Sequence, residues 1–190
     1  NHSTIAAVDL GSNSFRLQLA RVSGGQIYPL DSLKDSVRMA AGLADDKRLD
    51  EDSQQRALAC LSRFGERLRG LPQDAVRAVG TNTLRVAKNA PEFLKKAQRL
   101  LGFPIEIVAG HEEARLIYLG VAHAVPGMKG RTLVVDIGGG STEIIVGAGF
   151  EPLRLESLYM GCVGHSKAFF GDAKISAKRY AEAELAAATE

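Results

Sequence analysis

The sequence predicts a mixed α/β protein built around a duplicated strand–turn–strand unit. A continuous apolar run, Thr132 to Ile137, reads as a buried strand. It enters three consecutive glycines, Gly138, Gly139 and Gly140, and Thr142–Gly147 resumes as a second strand. Glycine permits the tight turn and leaves room for a ligand to touch the main chain. Ala7–Arg16 (AVDLGSNSFR) repeats this pattern. Aligning Asp9 with Asp136 puts Val8, Leu10, Gly11 and Ser14 on Val135, Ile137, Gly138 and Ser141, and Arg16 on Glu143. Between the two copies, helical and strand patterns alternate, as in mixed α/β folds. Internal similarity on this scale predicts two related domains that face each other.

Taken in order, Ile5–Leu10, Ser14–Val22 and Gln26–Val37 read as three strands joined by the turns GSNS and SGG. Phe15, Leu17 and Leu19 alternate with Ser14, Arg16 and Gln18, so one face goes to a core and the other carries Arg16. Asp50–Gly70 is punctuated as a helix. Asp50 is the N-cap, Glu51 and Asp52 suit the positive end, Arg67 and Arg69 the negative end, and Gly70 ends it. Leu58, Leu61, Phe64, Leu68 and Leu71 form its core stripe. Ala75–Val79 and Ile105–Val108 read as short strands and Pro91–Leu101 as a helix with proline in its first turn. Glu112–Val121 is a helix opening at Gly110, with Glu113, Ile117 and Val121 on one face. Pro126–Gly130 (PGMKG) is the expected domain boundary. Leu153–Leu158 is strand-like, Gly161–Gly164 a turn, and Ser176–Ala188 an alanine-rich helix. Residues 1–126 read as a complete first domain and 127–190 as the N-terminal part of a second, unfinished one.

Composition excludes several classes. Hydrophobic residues make 45% and charged residues 24% of the 190-residue chain, the balance of a globular domain. A net charge of +2 gives no reason to expect nucleic acid or a membrane surface. There is no apolar run long enough for a membrane span. No signal peptide is recognisable, and the chain opens on Asn1 instead of Met, consistent with trimming. Cys60 and Cys162 make neither a metal spacing nor a disulfide framework, so a reducing cytoplasm is expected.

Both glycine turns offer backbone N–H groups to an anion. Neither is a Walker loop, and no GxGxxG opens a helix. Together DLGSNSFR, GTNTLR (Gly80–Arg85), GHEEARLIYLGV (Gly110–Val121), DIGGGSTE and MGCV (Met160–Val163) resemble the exopolyphosphatase / guanosine pentaphosphate phosphohydrolase family. The resemblance runs from about Ile5 to the end of the chain and implies the actin–Hsp70–sugar-kinase (ribonuclease H-like) fold. It implies two phosphate-binding loops, Gly11, Ser12, Asn13, Ser14 and Gly138, Gly139, Gly140, Ser141, closing over a terminal phosphate. It makes Glu113 the group that activates water and Glu143 a second essential glutamate. Arg85 lines the site, Arg16 grips phosphate, and Asp9, Asp136 and Glu143 hold Mg²⁺ or Mn²⁺. Elementary chemistry agrees, because phosphoryl transfer needs charge neutralisation and alignment, and hydrolysis needs a base near the water. Without the family, Glu112 and Glu113 read as ordinary first-turn acids. Cys162 reads as packing.

Three function classes follow. The first is a metal-dependent exopolyphosphatase, with 5′-phosphate hydrolysis of guanosine pentaphosphate as its close alternative. RMAAGL (Arg38–Leu43) and FEP (Phe150–Pro152) resemble the polyphosphatase branch. The second is a kinase or ATPase of the same superfold, from which GSNSFR departs. The third is a non-catalytic polyphosphate or alarmone sensor, which could dispense with Glu113. The expected partner is the phosphorylated substrate, with no nucleic acid, and a homodimer of the full-length protein is compatible with the resemblance.

Overall fold

The opening hairpin forms where the alternation predicts it. The structure is a computed structural model and describes residues 2–190. Strands β1 (Thr4–Leu10), β2 (Phe15–Ser23) and β3 (Gln26–Asp35) form an antiparallel meander, and β4 (Val76–Gly80) and β5 (Ile105–Ile107) extend it in parallel from β1. The sheet order is β3-β2-β1-β4-β5. Parallel neighbours need crossovers, and helices supply them: α1 (Glu51–Leu68), the short α2 (Asn82–Val86) and α3 (Ala90–Leu101).

Helix α1 starts as its sequence dictates, with the Asp50 carboxylate accepting the Ser53 amide at 2.7 Å. Ala57, Cys60, Leu61, Phe64 and Leu68 are its buried stripe, joined by Phe93, Ala97 and Leu101 of α3 and by Ala6, Val8, Leu10, Phe15 and Leu17 of the sheet. Helices α1 and α3 meet closely at Gly65, where a Cβ would lie 2.3 Å from the Leu100 carbonyl oxygen. Burial pushes the Cys60 thiol up to about 12, so it is an inert core group.

A second sheet, in the order β6-β7-β8, repeats the meander with β6 (Arg131–Ile137), β7 (Thr142–Ala148) and β8 (Glu151–Leu158). The duplication extends to its irregularities. The β2/β3 register shifts between Leu19 and Ala20, and the β7/β8 register shifts at the matched Val146 and Gly147. Each bulge, at Leu30 or Leu153, adjoins a proline on its own strand, Pro29 or Pro152, which has no N–H to give the ladder.

The packing departs from the sequence reading in four places. The chain divides into compact units after Ile107, not at the Pro126 turn. The cause is α4 (Gly110–Ala124), whose Ala114, Tyr118 and Ala122 bury against Ile145 of the second sheet. Tyr118 donates its hydroxyl to the Gly149 carbonyl at 3.0 Å and lies where a Cβ on Gly147 would fall. Secondly, β6 is not a buried strand. Leu133, Val135 and Ile137 are 62%, 50% and 68% exposed. Their matches Ala6, Val8 and Leu10 are buried. Helix α4 packs on Val134, on the opposite side of the strand, leaving the odd-numbered face open. Thirdly, Gly161–Gly164 is not a free turn but opens helix α5 (Cys162–Phe170), and Cys162 is exposed instead of packed. Lastly, α2 had no periodic signal because it is a single short turn. Helix α6 (Ala177–Thr189) forms as expected, with the Ser176 hydroxyl capping it. No helix among the described residues is long and apolar enough to cross a membrane.

Candidate active site

In the first unit the loop Gly11–Ser14 leaves the carboxyl end of β1, the end where ligands of open α/β sheets bind. Asp9 and Arg16 are register partners across the β1/β2 pair, so they share a face and both are exposed. The loop is held from behind. The Ser12 carbonyl accepts the Ala40 amide and the Asn13 carbonyl accepts the Arg38 amide, both at 2.8 Å. A trans peptide sets each C=O opposite the next N–H. The amides of Asn13 and Ser14 therefore turn away from residues 38–40. Arg38 holds a left-handed φ of 55° to make its contact, a local strain of the sort found near functional loops. The buried Ser12 hydroxyl accepts from the Thr83 hydroxyl at 2.8 Å and from the Thr83 amide at 3.3 Å. This ties the loop to GTNTLR, and Arg85 of that motif is half-buried in α2.

The second unit repeats the plan. Asp136 and Glu143 are register partners across β6/β7, so two carboxylates share one face beside the glycine loop. Glu143 is only 1% exposed and accepts the Ser157 hydroxyl at 2.9 Å. A buried carboxylate is retained only where polar partners or a cation offset its lost hydration. Gly138 and Gly11 are placed alike, since a Cβ on either would lie 3.0 or 2.9 Å from the carbonyl of Ser141 or Ser14. Here the brace is α5. The amides of Cys162 and Val163 donate to the Gly138 and Gly139 carbonyls at 2.9 and 3.0 Å. The amides of Gly139 and Gly140 thus turn away from α5, giving a second set of outward donors. Ser141 is buried behind them.

Helix α4 separates the two adjacent acids. Glu112 accepts both Nε and an Nη of Arg115 at 2.7 Å, a bidentate pair within one turn. Its role is structural. Glu113 is half-buried, with its amide in the first turn of the helix. Of the sequence candidates, the structure places Asp9 and Arg16 side by side next to Gly11–Ser14 in unit one, with Arg85 in the short helix whose Thr83 is bonded to that loop. It brings Asp136, Glu143 and Gly138–Ser141 together in unit two, where Glu113 also lies. Sequence reasoning missed Thr83, Ser157 and Gly161 as supports. The glycine of MGCV was the available signal for the last.

The chain has the actin–Hsp70–sugar-kinase fold, with a glycine hairpin on each of its two meander sheets. Comparison with known proteins narrows this: residues 19–190 match the model of the Ppx/GppA phosphatase family, and the chain belongs to that family. It is similar to the Aquifex aeolicus PPX-GPPA enzyme at 30% identity and a TM-score of 0.77, over 95% of this chain and 60% of that one. An exopolyphosphatase-like protein matches at 28% identity and a TM-score of 0.89, over 95% and 58%. An exopolyphosphatase from Cytophaga hutchinsonii matches at 30% identity and a TM-score of 0.78, over 83% and 51%. The chain therefore spans between 51% and 60% of the length of these structures. A PilM–PilN type IV pilus biogenesis complex, at 15% identity and a TM-score of 0.51, shares the fold alone.

Proposed function

We propose that the protein is a metal-dependent exopolyphosphatase that hydrolyses the terminal phosphoanhydride of inorganic polyphosphate. The observation that carries the reading is Glu143, a fully buried carboxylate register-paired with Asp136 beside a loop of outward amides. Family membership supports phosphoanhydride hydrolysis as the reaction class. The outward amides and Arg16 and Arg85 bind and orient phosphate oxygens, Arg in the bidentate manner suited to phosphate. Glu113 takes the proton of the attacking water as its oxygen bonds to the terminal phosphorus. The bridging P–O bond breaks with its electron pair leaving on the shortened chain, and orthophosphate is the other product.

The donor set fits a hard cation. Asp136 and Glu143 offer only oxygens, and Mg²⁺ is commonly held by one or two carboxylates with waters and phosphate completing its shell. Among the described residues no group of three or more His, Cys, Asp or Glu gathers. Asp136 and Glu143 would hold Mg²⁺ or Mn²⁺, and Asp9 offers a like carboxylate beside the loop of the first unit. Bound there, the ion would neutralise charge on the phosphate oxygens. Phosphate release is therefore expected to stop in excess EDTA and to return with Mg²⁺ or Mn²⁺ but not Zn²⁺. Full activity in EDTA refutes this.

The functional test is phosphate release by the full-length protein from polyphosphate and from guanosine pentaphosphate, side by side. Faster release from polyphosphate is expected. Faster release from guanosine pentaphosphate would replace the substrate, and tight binding with no release from either would favour a sensor. The matched pair provides a finer check. Arg16→Ala should mainly raise KM and weaken inhibition by inorganic phosphate. Glu143→Gln should mainly lower kcat or raise the Mg²⁺ requirement. Identical signatures from the two variants would overturn this division of roles.

A further inference from the structure

One buried polar group beside the first loop has no part in the roles given above. Asn82, the first residue of α2, is 5% exposed, and its side-chain Nδ2 has no hydrogen-bond partner. Buried amide groups are nearly always hydrogen-bonded, and an orphaned one calls for a specific explanation. Its place in the fold supplies one. Strands β1 and β4 run parallel with Leu10 opposite Gly80, so Ser12 and Asn82 lie at matched places just beyond their strand ends. The adjacent Thr83 is bonded to Ser12 through both its amide and its hydroxyl, which fixes Asn82 beside the Gly11–Ser14 loop.

A carboxamide NH₂ only donates. What it awaits is an acceptor, and the nearest elements are a loop of outward amides and the short helix carrying Arg85, both suited to anions. We infer that the Asn82 side-chain amide is a further substrate-binding donor, which hydrogen-bonds a phosphate oxygen of the phosphoanhydride substrate held at Gly11–Ser14. The assignment rests on the functional reading above. It adds to the first loop a side-chain contact that is distinct from the charged grip of Arg16 and Arg85. A neutral donor sets the position of an oxygen without adding charge, so it governs affinity and alignment in that loop more than rate.

The test uses tripolyphosphate as the probe and the full-length protein as wild type, Asn82→Ala and Asn82→Asp. Hydrolysis kinetics and melting temperature, each with and without the probe, are read for all three. Loss of a hydrogen bond to a charged group should raise the KM for tripolyphosphate by about 10- to 100-fold in Asn82→Ala, with a smaller change in kcat. The probe-induced rise in melting temperature should shrink in parallel. Asn82→Asp should be worse, because a carboxylate in place of the amide repels phosphate. The melting temperature without probe should change little, since the amide has no partner in the protein to lose. An unchanged KM with a lowered probe-free melting temperature would make Asn82 a purely structural group and overturn the inference. If Asn82→Ala does not fold, the nearly isosteric Asn82→Asp decides, and a KM within about twofold of wild type overturns it. A wild type that neither hydrolyses tripolyphosphate nor is stabilised by it overturns the functional reading, and the Asn82 assignment with it.

Discussion

Glu113→Gln is expected to lower the hydrolysis rate by about 10²- to 10⁴-fold while leaving substrate affinity nearly unchanged. The amide keeps the size of the side chain and its place in the first turn of α4 but cannot accept the water's proton. Helix α4 itself is anchored by Ala114, Tyr118 and Ala122, so the substitution leaves the buried stripe intact. Glu112→Gln is the matched control. Its carboxylate is engaged by Arg115, so its loss should cost a fraction of the stability of α4 and little of the rate. Single-turnover hydrolysis by Glu113→Gln within a few-fold of wild type would remove Glu113 from the role of base. Equal losses from both variants would show that the effect runs through the helix and not through proton transfer.

Gly161→Ala is expected to lower both the stability and the hydrolysis rate. A Cβ there would lie 2.4 Å from the Gly140 nitrogen and 2.5 Å from the Gly139 and Gly140 carbonyl carbons. These are backbone atoms of the Gly138–Ser141 loop, with no flexible side chain to yield. Either the loop or the start of α5 must move, and the Cys162 and Val163 amides that hold the loop carbonyls would be displaced. Overpacking of this kind typically costs about 1–3 kcal/mol. A shift of the loop by about 1 Å can cost on the order of 10²-fold in rate. Gly164→Ala makes the contrast, since no atom lies within 4 Å of its added Cβ and it sits inside α5. Replacing a helix-interior glycine by alanine should stabilise by about 1 kcal/mol. Melting temperatures moving in opposite directions, with a rate loss for Gly161→Ala, are the expected result. An unperturbed rate and melting temperature in Gly161→Ala would show that the loop does not depend on this close approach.

Much of the site was legible because its signals are local. Asp9 with Arg16, and Asp136 with Glu143, are paired by the geometry of one hairpin, and a hairpin's register follows from its turn and its alternation. The duplication was legible for the same reason. The supports were not. Ser12 meets Thr83, Glu143 meets Ser157, and Gly161 meets Gly140 across long stretches of chain, and none of these pairs has a sequence period. The Asn82 amide could be recognised as an orphan only after every other buried polar group near it had found its partner.

By itself the sequence determined the strands of both units and their helices other than α2 and α5, the matched glycine turns, and the acids and arginines beside them. These depend on side-chain alternation, capping and glycine's conformational range, all of which act within a few residues. Tertiary structure alone decided that α4 belongs with the second sheet, because its small residues and Tyr118 fit over Ile145 and Gly147. It also decided that one face of β6 stays exposed while the matched face of β1 is buried. The two strands carry the same apolar pattern, and burial depends on whether a helix lies across that face: α1 and α3 join the core on Val8 and Leu10, whereas α4 packs on the other side of β6 at Val134.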